Sequence, residues 1–458
     1  MRRDNYIFIL KVISPVETAK IIDFKRSFMQ SFTSIGPFLD IAAIFASIAI
    51  ISLFMMPLVV LSSFLISYTT IYGVYYISKS HSSNGGYYSF TGKIFGVNAG
   101  LITGIFYIFY SSLVLPNISL FVSTFIESSL TSVGFNFLYS LDVYALLFSL
   151  SAIILVSRGL RFSSFYVLLF GFIEIAAMIF YITFFFTFSQ GYINPLQNFD
   201  VESFFTGVMF GMVIFAGSGS SIFISENTQR PNKLVPLAVL TSFTISGLIL
   251  TFAAFAMNDY LGQAGLILYS QTGGEYILTR LMDYNFLLFA IFLSITVLSA
   301  FNLAISYLRA FISTLERMRK DKIIPSWKTR FNNSSLDLFI LLLVTLIIIL
   351  ISNFIGFFNM FLTILTCVAL SYILVHIVTA LAIIKDSKYS IKKPSFIISL
   401  ISLILLSLVL YYEITYDPNL YSNLITLTMV LLSAITIAAF NIYRRKYLSM
   451  VNFDYNLL

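Results

Sequence analysis

Ser34-Ile35-Gly36-Pro37-Phe38-Leu39-Asp40 interrupts one long apolar segment of this chain, and Phe215-Ala216-Gly217-Ser218-Gly219-Ser220-Ser221 interrupts another. Proline supplies no amide donor and glycine loosens the backbone, so each segment is expected to unwind there. The 458 residues are 59% hydrophobic and 10% charged, with a mean hydropathy of +0.93. Runs of about 20 apolar residues in such a chain read as membrane-spanning helices. Twelve spans are expected, at 28–52, 53–77, 97–125, 141–157, 162–188, 203–225, 234–257, 284–313, 337–353, 357–384, 395–413 and 421–443. The breaks thus fall inside the first and sixth spans. Unwound backbone at membrane depth is tolerated only where protein buries it or where it lines a cavity.

The basic residues set an orientation. With the N-terminus inside, 25 of the 27 lysines and arginines fall on inner segments; Arg280 lies outside and Arg309 within the eighth span. Acids such as Glu127, Asp142, Asp259 and Glu275 gather in or beside the outer segments. This asymmetry predicts cytoplasmic N- and C-termini in a multi-pass protein of the cytoplasmic membrane, with the lipid bilayer as surroundings. The net charge of +7 is spread over seven short segments, so no nucleic-acid partner is expected. Met1 to Val16 is not expected to act as a signal peptide, because its apolar stretch Tyr6 to Leu10 is short and meets Lys11. Cys367 is the only cysteine, which rules out an intrachain disulfide. One cysteine and two histidines do not make a zinc site, and neither metal nor cofactor is expected.

Counting spans gives the organisation. The first span starts inside and the sixth outside, so residues 28–188 and 203–384 are expected to be two five-helix units of opposite topology. Each begins with its broken span, which is the pattern of an inverted repeat. A cytoplasmic segment at 1–27, two further spans within 395–443 and a cytoplasmic tail at 444–458 complete an all-α integral membrane fold. Gly92, Gly96, Gly100 and Gly104 recur every four residues and should form a ridge for close helix approach. The loop from Ser82 to Phe90 contains Asn84-Gly85-Gly86, a signal for a turn or re-entrant bend. Glu316 to Arg330 reads as a basic topology anchor.

These segments resemble the amino acid–polyamine–organocation transporters, which share the leucine-transporter-type fold. Gly85-Gly86-Tyr87-Tyr88, followed by Gly96 and Gly104, is similar to the family's loop between its second and third helices. Phe215-Ala216-Gly217, followed by Glu226, Pro231 and Pro236, resembles its broken sixth helix and the loop beyond. Ser34 to Pro37 with Pro57, and Asp321-Lys322-Ile323-Ile324-Pro325, complete a likeness over residues 20–445. The Gly-Ser-Gly common in the first helix of family amino acid carriers is replaced by Ser34-Ile35-Gly36-Pro37. The lysine some proton-coupled members carry in the fifth helix has no counterpart here.

Unwound helices leave amides and carbonyls without partners, and half-helix ends carry partial charge, positive at N-termini and negative at C-termini. A zwitterionic amino acid suits both ends. Ile35, Gly36, Pro37, Ala216, Gly217, Ser218 and Gly219 are therefore the expected substrate contacts, mostly through backbone. The alternative is a kink that serves packing alone. Phe215 is a candidate aromatic lid, and Tyr107 and Tyr110 are candidate pocket walls; ordinary packing is the alternative for each.

Two carboxyls lie within spans, Glu174 in the fifth and Asp40 just past the first break. An ionised acid at the bilayer centre costs roughly 2.5–3.5 kcal/mol on insertion scales, so such residues are usually paired or functional. Glu174, and after it Asp40, are the candidates to carry a coupling proton. The competing scheme is a sodium site between the first and eighth spans, with Ser299 and Asn302 as oxygen ligands. His376 is a third titratable group, better suited to an interhelical hydrogen bond.

These readings favour a secondary carrier that works by alternating access and moves an amino acid or related amine, as a symporter or an exchanger. The scarcity of acids around the breaks favours neutral substrates. A carrier of a nucleobase or polyamine, a channel and a substrate sensor remain as alternatives on the same scaffold. Polar residues within the spans are too few for a continuous pore. No nucleophile–base pair or phosphate loop points to an enzyme.

Overall fold

The structure, a computed structural model, describes residues 21–134, 140–324, 332–387 and 394–416, and eight further positions between 424 and 442. Residues 1–20, Pro325, most of the twelfth span and the tail at 444–458 lie outside the described residues.

The first span consists of three helices, α1 (Phe24–Thr33), α2 (Pro37–Ala42) and α3 (Ile44–Ser52). Asp23 caps α1 by accepting from the Arg26 amide at 3.0 Å. Pro37 opens α2 at its first position, where a missing amide costs nothing. Gly36 precedes it with a φ of 70°, a left-handed conformation that strains any residue with a Cβ. Ile44 to Ser80 is apolar over 37 residues. A single helix of that length would run about 56 Å, nearly twice the hydrocarbon core. Leu53, at a φ of 40°, interrupts it, so α3 ends the first span and α4 (Met56–Ser80) forms the second.

The chain continues through α5 (Gly86–Phe95), α6 (Val97–Ser132), α7 (Leu141–Ser157) and α8 (Leu160–Thr187). The sixth span begins as α9 (Val201–Ile214), loses helical form at Phe215 and resumes as a 3-10 helix, Ser220–Asn227. Beyond it come α10 (Pro231–Gln271), interrupted at Gly262, then α11 (Tyr276–Tyr284), α12 (Phe286–Lys320), α13 (Asn333–Ile355), α14 (Phe357–Ser387) and α15 (Pro394–Tyr416).

Among the described residues, eight helical stretches are long and apolar enough to cross a membrane, with Ile44–Ser80 counted as one; α7 and α9 are shorter apolar helices. α13 is strongly apolar, yet much of its surface is exposed, including Phe339, Ile347 and Phe354. Outward faces this apolar belong against lipid.

Ile22 and Thr228 form an isolated parallel bridge. The entry to the first span and the exit of the sixth therefore lie on one face of the molecule, and the two broken spans run antiparallel. Asn84, just before α5, bonds Glu226 at the exit of the sixth span, and Lys385 bonds the Ile94 carbonyl at the end of α5, so that helix lies on the same, basic face. Its counterpart α11 lies after the second span of the other half; the turn before it packs on Ala42, and Tyr269 bonds the Ile41 carbonyl at 2.5 Å. Short helices at matching places on opposite faces are what an inverted repeat requires. The expected bend at Asn84-Gly85-Gly86 is a turn that leads into α5. The expected glycine ridge is not one helix face: Gly96, at a φ of 92°, separates α5 from α6 with nothing close to it, while Gly100 of α6 packs on Gly92 and Tyr88 of α5 and Gly104 on the Tyr88 ring.

Candidate functional site

The two breaks meet. The Ser34 hydroxyl donates to the Gly217 carbonyl at 2.6 Å and lies 2.7 Å from the Ser220 hydroxyl. Ser220 donates to the Gln30 carbonyl at 2.7 Å, and the Ser221 amide donates to the Ser31 hydroxyl at 3.2 Å. Serine side chains from each break thus satisfy backbone groups that the other has released, as buried unwound backbone demands. The approach is closest at Gly217. A Cβ there would lie 2.5 Å from the Ser34 carbonyl carbon and closer still to its oxygen.

Beyond the first break, α2 presents its N-terminus to α8 and α12. The Phe38 amide donates to Glu174 Oε1 at 3.3 Å, and the Leu39 amide donates to the Ser299 hydroxyl at 3.1 Å. Ser299 in turn donates to Glu174 Oε1. Asn302 donates to Glu174 Oε2 at 3.1 Å. A carboxyl at a helix N-terminus, backed by three donors, is favourably placed against the helix dipole. Glu174, Ser299 and Asn302, candidates under two different coupling schemes, form one buried cluster. That cluster occupies the first two amides of α2, those of Phe38 and Leu39.

A cavity of about 510 Å³, counting its mouth, lies beside the first break. Ser34, Ile35 and Asp40 line it from the first span, Val213 from α9, and Leu303 and Tyr307 from α12. The facing wall is Val114, Asn117, Ile118 and Phe121 of α6, spaced as one helix face, with Phe361, Leu365 and Val368 of α14. The lining is almost wholly apolar. Asp40 and Asn117 are 2% and 5% exposed, and Asp40 Oδ2 and Asn117 Oδ1 have no hydrogen-bond partner among the described residues.

Toward the basic face the cavity ends in aromatic rings. Tyr307 meets Tyr110 edge-on at 6.0 Å, Tyr110 meets Tyr107 at 4.9 Å, and Tyr107 stacks on Phe223 at 4.4 Å. His376 lies between Tyr87 at 5.2 Å and Tyr372 at 4.3 Å. Among the described residues its Nε2 has no partner, so the interhelical bond expected of it is not seen through that atom. Below the rings, polar groups join three segments. Asn84 and Glu226 exchange bonds at 3.0 and 2.9 Å. Glu226 also faces Arg317 and Lys320, each at 3.5 Å. Tyr88 donates to Asp321 at 3.1 Å.

The expected residues therefore separate. Ile35 and Asp40 line the cavity, while Gly36 and Pro37 shape the turn beside it. Ala216, Gly217, Ser218 and Gly219 form the opposing break but are not on the cavity wall, which α9 reaches through Val213. Phe215 is not a lid: it is fully buried against Phe64 at 5.9 Å and Phe243 at 5.3 Å, within the α4–α10 packing. Tyr110 lies one turn beyond the wall residue Val114, among the rings. Sequence reasoning missed Asn117 and Tyr307. A polar Asn117 directly after Pro116 in the middle of a span was the available signal; Tyr307, one of 28 tyrosines, offered none.

No curated protein matches the chain. Residues 22–440 match the family model described as amino acid permease. That match covers both broken spans, the Glu174 cluster and the whole cavity lining, and the chain belongs to the amino acid permease family, multi-pass membrane transporters of amino acids or amines.

Proposed function

We propose that the chain is a secondary carrier of an amino acid or related amine in the cytoplasmic membrane, coupled to protons through Glu174. The observation that carries this reading is the cluster at the α2 N-terminus. There one carboxyl from α8, with Ser299 and Asn302 of α12, holds the second half of the broken first span. A proton on Glu174 removes the negative charge facing α2 and one acceptor. That loosens the first span from α8 and α12, as rocking of one bundle against the other requires. The two broken spans, tied to each other through Ser34, Gly217 and Ser220, belong to the bundle that rocks against α8 and α12. The basic face is the cytoplasmic one. Its tyrosine rings and the Glu226–Arg317 contacts close the cavity from that side, so this form is shut toward the cytoplasm. Substrate release then needs both layers to part.

The test is uptake into proteoliposomes, with substrates first found by a thermal-shift screen of amino acids and amines. An imposed pH gradient should drive accumulation in the wild type, and Glu174→Gln should abolish the effect of the gradient while still binding substrate. Full gradient-driven uptake by that variant would exclude Glu174 as the carrier. A sodium-coupled reading draws on Asn302 Oδ1, which has no partner beside Glu174 and Ser299. Replacement of sodium by choline separates the two schemes, since only the sodium scheme loses uptake.

A further inference from the structure

We infer that the cavity is an ammonium subsite built on Asp40, and that it selects small monoamines with an apolar body over zwitterionic amino acids. The inference rests on the carrier reading and narrows its substrate class. Asp40 is 2% exposed and Asn117 5%, both on the cavity wall, and each has an oxygen with no hydrogen-bond partner. A buried acceptor left unpaired is costly, more so when it is a carboxylate, and a ligand ammonium supplies the missing donors and the opposite charge. Much of the rest of the wall, including Ile35, Ile118, Phe121 and Leu365, offers hydrocarbon to the ligand's body, and its polar side chains besides Asp40 and Asn117 are the hydroxyl-bearing Ser34 and Tyr307. No positive charge receives a ligand carboxylate there: among the described residues no lysine, arginine or histidine lines the cavity. At the nearest helix N-terminus, Pro37 has no amide, and the Phe38 and Leu39 amides are held by Glu174 and Ser299. A zwitterion would bring its carboxylate into largely apolar surroundings without a charged partner, beside Asp40. A monoamine brings only the charge that the site complements. On this proposal the expectation of neutral substrates, drawn from the scarcity of acids, gives way to a cationic one, because one acid in a largely apolar cavity sets the sign.

Three ligands that share one branched tail test this on the purified protein: 3-methylbutylamine, leucine, and 4-methylpentanoic acid, which lacks the amine. Calorimetry on the wild type should rank the amine at least 10-fold tighter than leucine, with no binding of the acid. Asp40→Asn should weaken the amine at least 30-fold, and Asn117→Leu several-fold. Leucine binding tightest in the wild type would overturn the subsite while leaving an amino acid carrier intact, and that comparison needs no variant to fold. Amine affinity unchanged in a monodisperse Asp40→Asn protein would overturn it as well. If none of the three binds, the apolar-amine class is wrong, and a response to any other amino acid in the wider screen would still uphold the carrier reading.

Discussion

Gly217→Ala tests whether the two breaks depend on each other's backbone. The added Cβ would fall 2.5 Å from the Ser34 carbonyl carbon and 2.9 Å from Ser34 Cβ. Ordinary contact begins near 3.4 Å, so the breaks must separate by about an ångström or more. Neither side can yield by turning a side chain, because the obstruction is backbone. Separation breaks the bonds that cross between them, Ser34 to the Gly217 carbonyl at 2.6 Å and Ser220 to the Gln30 carbonyl at 2.7 Å. At about 0.5–1.5 kcal/mol each, their loss is worth roughly 1–3 kcal/mol, or roughly 5- to 150-fold in an equilibrium constant. We expect a lower melting temperature and substrate binding weakened within that range, read by thermal shift and calorimetry on monodisperse protein. Gly104→Ala is the comparison. Its nearest obstruction is a Tyr88 ring carbon at 3.1 Å, which needs to move only a few tenths of an ångström, so binding should change less than about 3-fold. Wild-type stability and affinity in Gly217→Ala would refute the close apposition of the breaks and the role given to it.

Arg319 and Asp337 form a bidentate pair at 2.7 and 2.5 Å, both largely buried. Arg319→Ala should therefore cost about 3–5 kcal/mol of stability by leaving Asp337 unpaired, and adding Asp337→Asn should recover part of it, as thermal unfolding will register. Arg317→Ala removes a contact to Glu226 and one to Asp321; a cysteine placed at Leu303 in a Cys367→Ala background should then react faster with a thiol reagent applied from the basic face. Equal rates with and without Arg317 would remove that residue from the closure. His81→Gln should leave the pH profile of uptake unchanged, because burial and the nearby Lys93 hold the His81 imidazole below its ordinary range. The imidazole is then neutral at and above its ordinary value, and a flattened profile in that variant would transfer the pH response away from Glu174.

The spans were legible because hydrocarbon imposes one rule on every residue that faces it, and both breaks showed because proline and glycine act on their own backbone. The boundary at Leu53, expected between spans 28–52 and 53–77, was legible because 37 apolar residues are too many for one crossing. Glu174 stood out as an acid inside a span. Its partners did not, because Phe38, Ser299 and Asn302 are brought to it from two other helices, and amide contacts leave no trace in residue identity. Phe215 misled for the related reason that an aromatic beside a break looks the same whether it turns toward a cavity or, as here, toward Phe64 and Phe243.

By itself the sequence determined that the chain is an all-helical membrane protein with two interrupted, oppositely directed spans, since hydropathy, helix length and proline chemistry are local properties. Only the tertiary structure decided that Asp40 lines an apolar cavity while Glu174 caps a helix. Those two carboxyls are alike in sequence, and what separates them is which neighbouring helix supplies hydrogen-bond donors, a matter of packing at a distance.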